Sequence, residues 1–256
     1  MFDQAGIAAA IKSKYGAQVR QPWLEQCVAH IDTELGAAGG PGSESRLQLE
    51  AQVRLVLEQL VSSEIGDSCY PVLRVDAGSG CVCGLPAGAG VLLQVQEIMD
   101  VGVSKHAMWE AVREMEDYEQ RGIRPSYLPE LDDGEGGGVF TVSGTQHGGP
   151  QAAGTDGDQE GERKPKIPRG MLKLVLTDGQ TRLAALETEP IPQLDVGLPI
   201  GTKVLVSSGQ LLAPTGVLCM ESTGIQVLGG APAQYQQCTL RRRLETVLRG
   251  GPGAQT

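Results

Sequence analysis

The chain has 256 residues, a formal net charge of −10, 36 glycines and only 2 Trp, 5 Tyr and 2 Phe. Tight binding to a nucleic-acid backbone requires lysine and arginine side chains that neutralise phosphates, and no cationic patch stands out in this acidic sequence. Composition and charge therefore argue against a protein that grips DNA by itself, and predict weak or indirect contact with nucleic acid.

The sequence lacks the chemical motifs of an enzyme or a metal site. There is no P-loop, no G-x-S-x-G and no H-E-x-x-H pattern. Only Cys81 and Cys83 lie close together among the 6 cysteines, and the 3 histidines do not supply the second pair of a zinc site. We therefore predict a non-catalytic protein without a metal or other cofactor.

The cysteines and the N-terminus indicate the compartment. Scattered cysteines are typical of reduced thiols in a cytosolic or nuclear protein. The first residues lack the basic and apolar regions of a secretory signal peptide, and no apolar run reaches 18 residues, so we expect no membrane span.

Residues 1–66 show the pattern of a small three-helix bundle. An alanine-rich stretch at 5–15 ends at Gly16, and a second helix begins at Gln21-Pro22-Trp23, where proline is tolerated in the first turn. Trp23, Cys27 and Ile31 form one apolar stripe of that helix. Trp23 is interpreted as a core residue rather than a ligand-stacking one. After a glycine-rich break at 36–45, the third stripe comprises Val53, Val56, Leu57, Leu60 and Val61.

From about residue 70 to 249 the pattern changes to short strands rich in Val, Ile and Leu. In the stretch 171–177, Leu172, Leu174 and Leu176 alternate with Lys173, Val175 and Thr177, as in a strand buried on one face. Five or six such strands in some 90 ordered residues fit a small closed or half-closed barrel. Asp178, in the sequence T-D-G, is interpreted as a turn residue.

A long insertion, residues 105–168, interrupts this barrel after its first long strand. It begins as a helix, with Met108, Val112 and Met115 at helical spacing. Residues 126–162 then contain eight acidic side chains, ten glycines and no Lys or Arg. Such a composition cannot bury enough apolar surface to offset its ordering entropy. A functional loop and a tolerated insertion with chance apolar residues both remain open.

The chain closes with a predicted helix and a flexible tail at 250–256. Leu240, Leu244, Val247 and Leu248 are expected to face inward. The run Arg241-Arg242-Arg243 could contact phosphates, but a solvated helix face explains it better.

Six motifs in one order carry a resemblance to a known family. They are W-L-E-Q-C (23–27), V-L-L-Q-V-Q-E-I-M-D-V-G-V-S (91–104), L-T-D-G (176–179), E-T-E-P-I-P (187–192), L-P-I-G-T-K (198–203) and G-V-L with V-L-G-G (216–218 and 227–230). Over most of residues 18–249 the chain resembles the RecQ-mediated genome instability protein 1 family. The resemblance implies an α+β fold: a three-helix bundle, then a five-stranded OB-fold barrel with a long inserted loop and a C-terminal helix.

The resemblance also implies a function. In that family the protein is a non-catalytic nuclear subunit of a complex between type IA topoisomerase III and a RecQ-type helicase, which dissolves double Holliday junctions. The barrel docks on the topoisomerase, and the inserted loop reaches its DNA gate. Longer members carry a second OB domain that binds another small OB subunit, and this chain resembles the single-barrel members, so we do not expect that subunit.

Candidate partner-binding residues follow from the same resemblance. The L-P-x-G-T-K segment, here Pro199, Gly201, Thr202 and Lys203, is expected to contact the topoisomerase. Lys203 is expected to be exposed, so that Lys203→Ala would leave the melting temperature almost unchanged. In the loop, the candidate gate-contacting residues are Tyr127, Leu128 and Phe140.

Two other functions remain as alternatives. An OB-type binder of single-stranded nucleic acid would need a positive groove and aromatic stacking platforms, and low-micromolar binding to a single strand would reveal it. A topoisomerase III beta adaptor similar to the N-terminal region of Tudor-domain protein 3 would be distinguished by the topoisomerase paralogue that co-purifies.

Overall fold

The computed structural model describes residues 2–38, 49–120 apart from 77, 79–81, 87 and 89, and 166–250. The chain divides into two compact units, one formed by residues 1–109 with 168–256 and the other by residues 110–167. Within the first unit lie the N-terminal helices, the sheet and the C-terminal helix. Of the second unit, the structure describes a helical part, residues 110–120, and residues 166–167.

The N-terminal region is helical, as the sequence predicts. Its elements are α1 (Gln4–Tyr15), α2 (Gln21–Ala38), α3 (Leu49–Ser62) and the one-turn helix α4 (Ile65–Ser68). The Asp3 side chain caps α1 by accepting from the Gly6 amide, and Gly16 ends it at a φ of 60°, a left-handed conformation that glycine adopts without steric cost.

The helices bury the centres of their predicted stripes in one apolar cluster, whereas Val53 and Leu57 are only partly buried and pack against it. Its largest members include Ile7, Ile11, Leu24, Ile31, Val56, Leu60 and Ile65. Leu92, from the first long strand of the sheet, belongs to the same cluster, so the helices and the sheet share a core. Trp23 is only partly buried and packs against this cluster from its edge. The prediction that Trp23 packs with the core is therefore confirmed, although its side chain is not fully buried.

Nine strands are described. Two of them, β1 (Arg74–Val75) and β2 (Val82–Gly84), form a small antiparallel pair. The other seven form one sheet: β3 (Val91–Asp100), β4 (Leu172–Thr177), β5 (Arg182–Glu187), β6 (Lys203–Val206), β7 (Leu211–Leu212), β8 (Leu218–Met220) and β9 (Ile225–Gly229).

The order of the large sheet, β7-β8-β5-β4-β3-β6-β9, shows that it curls into a half-barrel. Strands β8 and β9 are separated by only four residues in sequence, yet they lie near opposite ends of the strand order. Only a curled sheet brings those two ends together. When β6–β7 and β8–β9 are each taken as one bent strand, the half-barrel has the five strands predicted for an OB fold. The one parallel pair in this sheet is β5 with β8.

The barrel interior is aliphatic. The alternation predicted for β4 is confirmed at its start, since Leu172, Leu174 and Leu176 are fully buried whereas Lys173 is exposed. It is wrong at Thr177, which is 1% exposed because its hydroxyl donates to the Thr181 carbonyl in the following turn. Every described strand of the sheet lacks aromatic residues, so the apolar side chains that the strands place in the core are aliphatic or methionine.

Two helices complete the described chain. Helix α5 (Lys105–Gln120) follows β3 and confirms the helical start of the insertion. Helix α6 (Leu240–Leu248) is capped by the Thr239 side chain, which accepts from the Arg242 amide. Leu244 is buried in α6, but Leu248 is 43% exposed, so its predicted inward position is wrong. No described helix is long and apolar enough to cross a membrane.

Candidate partner-binding site

The L-P-x-G-T-K segment forms a tight turn that is fixed to strand β3. The Thr202 side-chain hydroxyl donates to the Pro199 carbonyl at 2.7 Å. The Gly201 amide donates to the Val95 carbonyl at 2.8 Å, and the Val95 amide donates to the Thr202 carbonyl at 2.9 Å. Gly201 has a φ of 91°, and a Cβ there would lie 2.6 Å from the Pro232 side chain. The turn therefore requires glycine at this position.

Lys203 is buried, so the expectation that it is exposed is wrong. Its side chain is fully buried, and the ammonium donates to the carbonyl of Val61 at 3.1 Å and to that of Gly201 at 3.0 Å. Val61 belongs to the last turn of α3, where helix carbonyls lack intrahelical partners. Lys203 thus connects the barrel to the C-terminal end of α3. Burial lowers the pKa of Lys203 to about 8, while the Glu64 carboxylate acts to raise it.

A second buried polar contact lies beside Lys203. Gln94 of β3 is fully buried; its side-chain carbonyl accepts from the Ile65 amide at 3.0 Å, and its amide donates to the Glu64 carboxylate at 2.7 Å. Ile65 is the first residue of α4, and an amide at the start of a helix has no intrahelical acceptor. Gln94 and Lys203 therefore hold the segment between α3 and α4 against the barrel.

Of the four candidate contact residues, only Pro199 is exposed; Gly201, Thr202 and Lys203 are buried. The structure brings the four together in one turn. A contribution of Gly201, Thr202 and Lys203 to partner binding would therefore act through the shape of the turn and the position of the helices. Their role in partner binding stays a prediction.

Asp178 forms the predicted turn and has a second function that sequence reasoning missed. Its Oδ1 accepts from the amides of Gln180 and Thr181 at 3.1 and 2.7 Å. Its Oδ2 accepts from the amides of Val72 and Leu73, each at 2.8 Å. The carboxylate is 1% exposed and thereby joins the β4–β5 turn to the chain that enters the barrel from the helices.

The E-x-x-P-I-P motif holds a buried ion pair. Glu187 is 2% exposed; one oxygen accepts from the Leu172 amide at 2.8 Å and the other from Arg169 at 2.9 Å. The same Arg169 nitrogen donates to the carbonyls of Ile191 and Leu194. A buried carboxylate with both a cation and an amide donor is well compensated. These contacts give the motif a structural role in the barrel.

The insertion begins and ends at a clasp formed by Asp100, the last residue of β3. Its carboxylate accepts from the amides of Gly102, Val103 and Gly170 at 2.7, 2.9 and 2.6 Å. The Val101 amide also donates to the Met171 carbonyl at 2.8 Å. Both ends of the insertion are thus fixed to the barrel. Tyr127, Leu128 and Phe140 lie outside the described residues.

The described surface does not resemble a nucleic-acid groove. Arg182 pairs with Glu97 at 2.8 Å, and Arg241 pairs with Glu245 at 3.1 Å. The prediction that Arg241–Arg243 form a solvated face is wrong for Arg243, whose guanidinium donates to the carbonyls of Ile98 and Val196 at 2.9 and 2.6 Å. No aromatic platform for bases is present on the described strands.

The described residues hold no group of three or more metal-ligating side chains. Two thiols are buried in the helical core, and burial raises the pKa of both Cys27 and Cys69 to about 11. Thiols with raised pKa values are poor nucleophiles and poor metal ligands at neutral pH. These two cysteines are packing residues.

Comparison with known proteins assigns both parts of the chain. The family model described as the RMI1 N-terminal helical domain matches residues 11–68, and the model described as the RMI1 N-terminal OB-fold domain matches residues 76–243. RecQ-mediated genome instability protein 1 of Xenopus laevis is 26% identical over 252 residues, which cover 95% of this chain and 38% of that protein.

Other relatives agree. The protein of the same name from Danio rerio is 26% identical over 93% of this chain and 38% of its own length. That of Mus musculus is 29% identical over 81% of this chain and 27% of its own length. The chain thus spans well under half the length of these relatives. Because the two family models together match most of it, the chain belongs to the RecQ-mediated genome instability protein 1 (RMI1) family.

Proposed function

We propose that the protein is a non-catalytic subunit of a complex between a type IA topoisomerase III and a RecQ-type helicase, in which it stabilises the topoisomerase and regulates strand passage during double Holliday junction dissolution. The observation that carries the proposal is the match of one chain to both RMI1 N-terminal domains, helical and OB-fold. The names of the relatives refer to RecQ-mediated genome instability. A nuclear location is part of the proposal.

The contacts between the helices and the barrel support a docking role. Lys203 and Gln94 join the two parts through hydrogen bonds to Val61 and Ile65, and Leu92 joins their cores. Asp178 holds the chain between α4 and β1. A surface that spans both parts is therefore rigid before a partner arrives. Rigid surfaces bind at a lower entropic cost than surfaces that must first become ordered.

The exposed face of the L-P-x-G-T-K turn is the proposed contact on the barrel. Pro199 stands on its surface, and the buried Thr202 and Lys203 fix the backbone beneath it. In this proposal the turn presents a defined shape to the topoisomerase, and Lys203 supports that shape without touching the partner.

The insertion is the proposed regulatory element. The Asp100 clasp joins the chain before the insertion to Gly170 after it, so the barrel is closed at the base of the insertion. The acidic segment 126–162, which carries Tyr127, Leu128 and Phe140, is proposed to act at the DNA gate.

The charge on the described surface favours this proposal over a single-strand binder. A single-strand groove combines cations along the backbone with aromatic platforms. Here Arg182 is neutralised by Glu97, Arg243 is directed to backbone carbonyls, and the strands carry no aromatic residue. We therefore propose that the protein contacts nucleic acid only weakly or through its partners.

Reconstitution tests the proposal. The purified chain is mixed with topoisomerase III, and separately with a type IB topoisomerase as a control for non-specific association, and each mixture is passed over a size-exclusion column. We expect co-elution with topoisomerase III only, and a changed rate of decatenation by that mixture. If the chain elutes alone in both cases, the proposed function is wrong.

A further inference from the structure

A cavity of about 520 Å³ lies between helix α6, strand β3 and the start of α5. It is outside the L-P-x-G-T-K turn except for Ile200, and it shares no residue with the Asp100 clasp. Its volume is within the range of about 300–1,000 Å³ that is usual for ligand sites. The cavity is therefore large enough to accept side chains of another molecule.

The wall of the cavity is mainly apolar. Apolar surface comes from one residue of each neighbouring element, namely Ile98 of β3, Met108 of α5 and Leu244 of α6, and from Val196 in the loop between β5 and β6. Each of these four residues is buried in the folded chain, so the wall is fixed by packing. An apolar wall favours an occupant with aliphatic or aromatic groups, because burial of apolar surface stabilises a complex.

The charged groups at the cavity are mainly cationic. Lys105, Arg242 and Arg243 line it, together with a single carboxylate, Glu97. Glu97 already forms a salt bridge with Arg182 at 2.8 Å. Among the residues that the structure describes, none of the three cations forms a salt bridge; Arg242 donates to the neutral Gln237 side chain at 3.1 Å. The cavity is therefore positive within a chain of net charge −10.

Arg243 is the least satisfied of the three cations. Its guanidinium donates only to the carbonyls of Ile98 and Val196, and its Nε is a buried donor without a hydrogen-bond partner in the described structure. Burial lowers the pKa of Arg243, and the nearby Cys238 and Asp195 side chains act to raise it. A partly buried cation is better compensated by a carboxylate than by carbonyls, so the Arg243 guanidinium favours an acidic occupant of the cavity.

We propose that this cavity binds a short acidic segment of a partner protein, which inserts apolar side chains against the aliphatic wall and places carboxylates beside Arg242, Arg243 and Lys105. The apolar wall selects peptide over nucleic acid, since phosphates alone would leave that wall exposed to water. This site goes beyond the proposed function, because it depends neither on the topoisomerase nor on the L-P-x-G-T-K turn.

Fluorescence anisotropy tests the site with a labelled amphipathic peptide made of Leu and Glu. A peptide with Lys in place of Glu and a labelled thymidine strand serve as comparison probes. We expect the Leu–Glu peptide to bind at about 0.15 M ionic strength and the other two probes to bind far more weakly. No binding of the Leu–Glu peptide, or stronger binding of the thymidine strand, would overturn the proposal.

Two variants locate the binding. Arg242→Glu and Lys105→Glu change cations on two different elements of the cavity, so either one serves if the other fails to fold. We expect each to weaken peptide binding by roughly fivefold or more, because it removes an attraction and adds a repulsion. Arg249→Glu, an exposed residue that follows the same helix outside the cavity, is the matched control. Equal weakening by Arg249→Glu would show non-specific attraction and refute the site.

Discussion

Lys203 offers the sharpest test of how the barrel and the helices are joined. The change Lys203→Ala removes about three buried methylene groups, worth about 0.8 kcal/mol each. It also leaves the carbonyls of Val61 and Gly201 without this donor, at about 1 kcal/mol each. Relief from burying the ammonium offsets part of this loss. The shift of the pKa of Lys203 from 10.5 to about 8 corresponds to about 3 kcal/mol. We therefore expect Lys203→Ala to lower the free energy of unfolding by about 1–3 kcal/mol at neutral pH.

The change Lys203→Met separates volume from charge. Methionine keeps most of the buried side-chain volume and removes the ammonium, so the lost hydrogen bonds and the relieved burial of charge nearly cancel. We expect the free energy of unfolding of Lys203→Met to lie within about 1 kcal/mol of wild type at neutral pH.

The pH dependence provides an independent check. The pKa of Lys203 is lower in the folded protein, about 8, than its ordinary value of 10.5. Between these values the unfolded chain binds more protons than the folded one, so the stability of the wild type rises with pH. Relative to Lys203→Met, the wild type should gain about 1 kcal/mol between pH 7 and about pH 9, since only the wild type carries this titrating group.

Urea unfolding followed by circular dichroism measures all three proteins at both pH values. An unchanged unfolding midpoint for Lys203→Ala would mean that the side chain does not connect the barrel to α3. A wild-type stability that does not rise with pH relative to Lys203→Met would show that the ammonium is not buried.

Three further predictions concern Asp178, Trp23 and residues 126–162. Asp178→Ala leaves four backbone amides without their carboxylate, so urea unfolding should show a loss of about 3–5 kcal/mol in the free energy of unfolding. Asp195→Ala removes an exposed carboxylate and should lower that free energy by under about 1 kcal/mol; equal losses would contradict the role of Asp178. Trp23→Ala should lower the free energy of unfolding by about 1–3 kcal/mol, because Trp23 is only partly buried. The loss should be smaller than that for Leu24→Ala, since Leu24 is 1% exposed; the reverse order of unfolding midpoints would contradict the packing. Replacement of residues 126–162 by a Gly-Ser linker should leave the thermal midpoint and the topoisomerase affinity nearly unchanged, because the free energy of loop closure changes by only about 0.6 kcal/mol per doubling of length. Control of decatenation should be lost, and an unfolded variant would show that the segment belongs to the core.

The elements of the fold could be predicted because their signals are local. The alternation at Leu172, Leu174 and Leu176 depends on neighbours in sequence, and so does the stripe of Val56 and Leu60; both were confirmed as buried. The start of the insertion after β3 was predicted from a change in composition within a few residues. Such patterns need no knowledge of distant contacts.

The burial of single polar side chains could not be predicted in this way. Lys203 reaches a carbonyl 142 residues earlier in the chain, and Arg243 reaches one 145 residues earlier. Asp178 accepts from amides 105 and 106 residues away. Lysine and arginine are usually exposed, so composition alone places Lys203 and Arg243 on the surface. Their partners become visible only once helix, turn and strand are packed together.

The central claim is that this chain binds topoisomerase III through its helical and barrel domains. A calorimetric titration of purified topoisomerase III with the chain tests it most directly, with a thymidine strand titrated separately under the same salt. We expect a saturable heat of binding with topoisomerase III at a stoichiometry near one, and little heat with the single strand. Low-micromolar binding to the single strand without binding to topoisomerase III would contradict it.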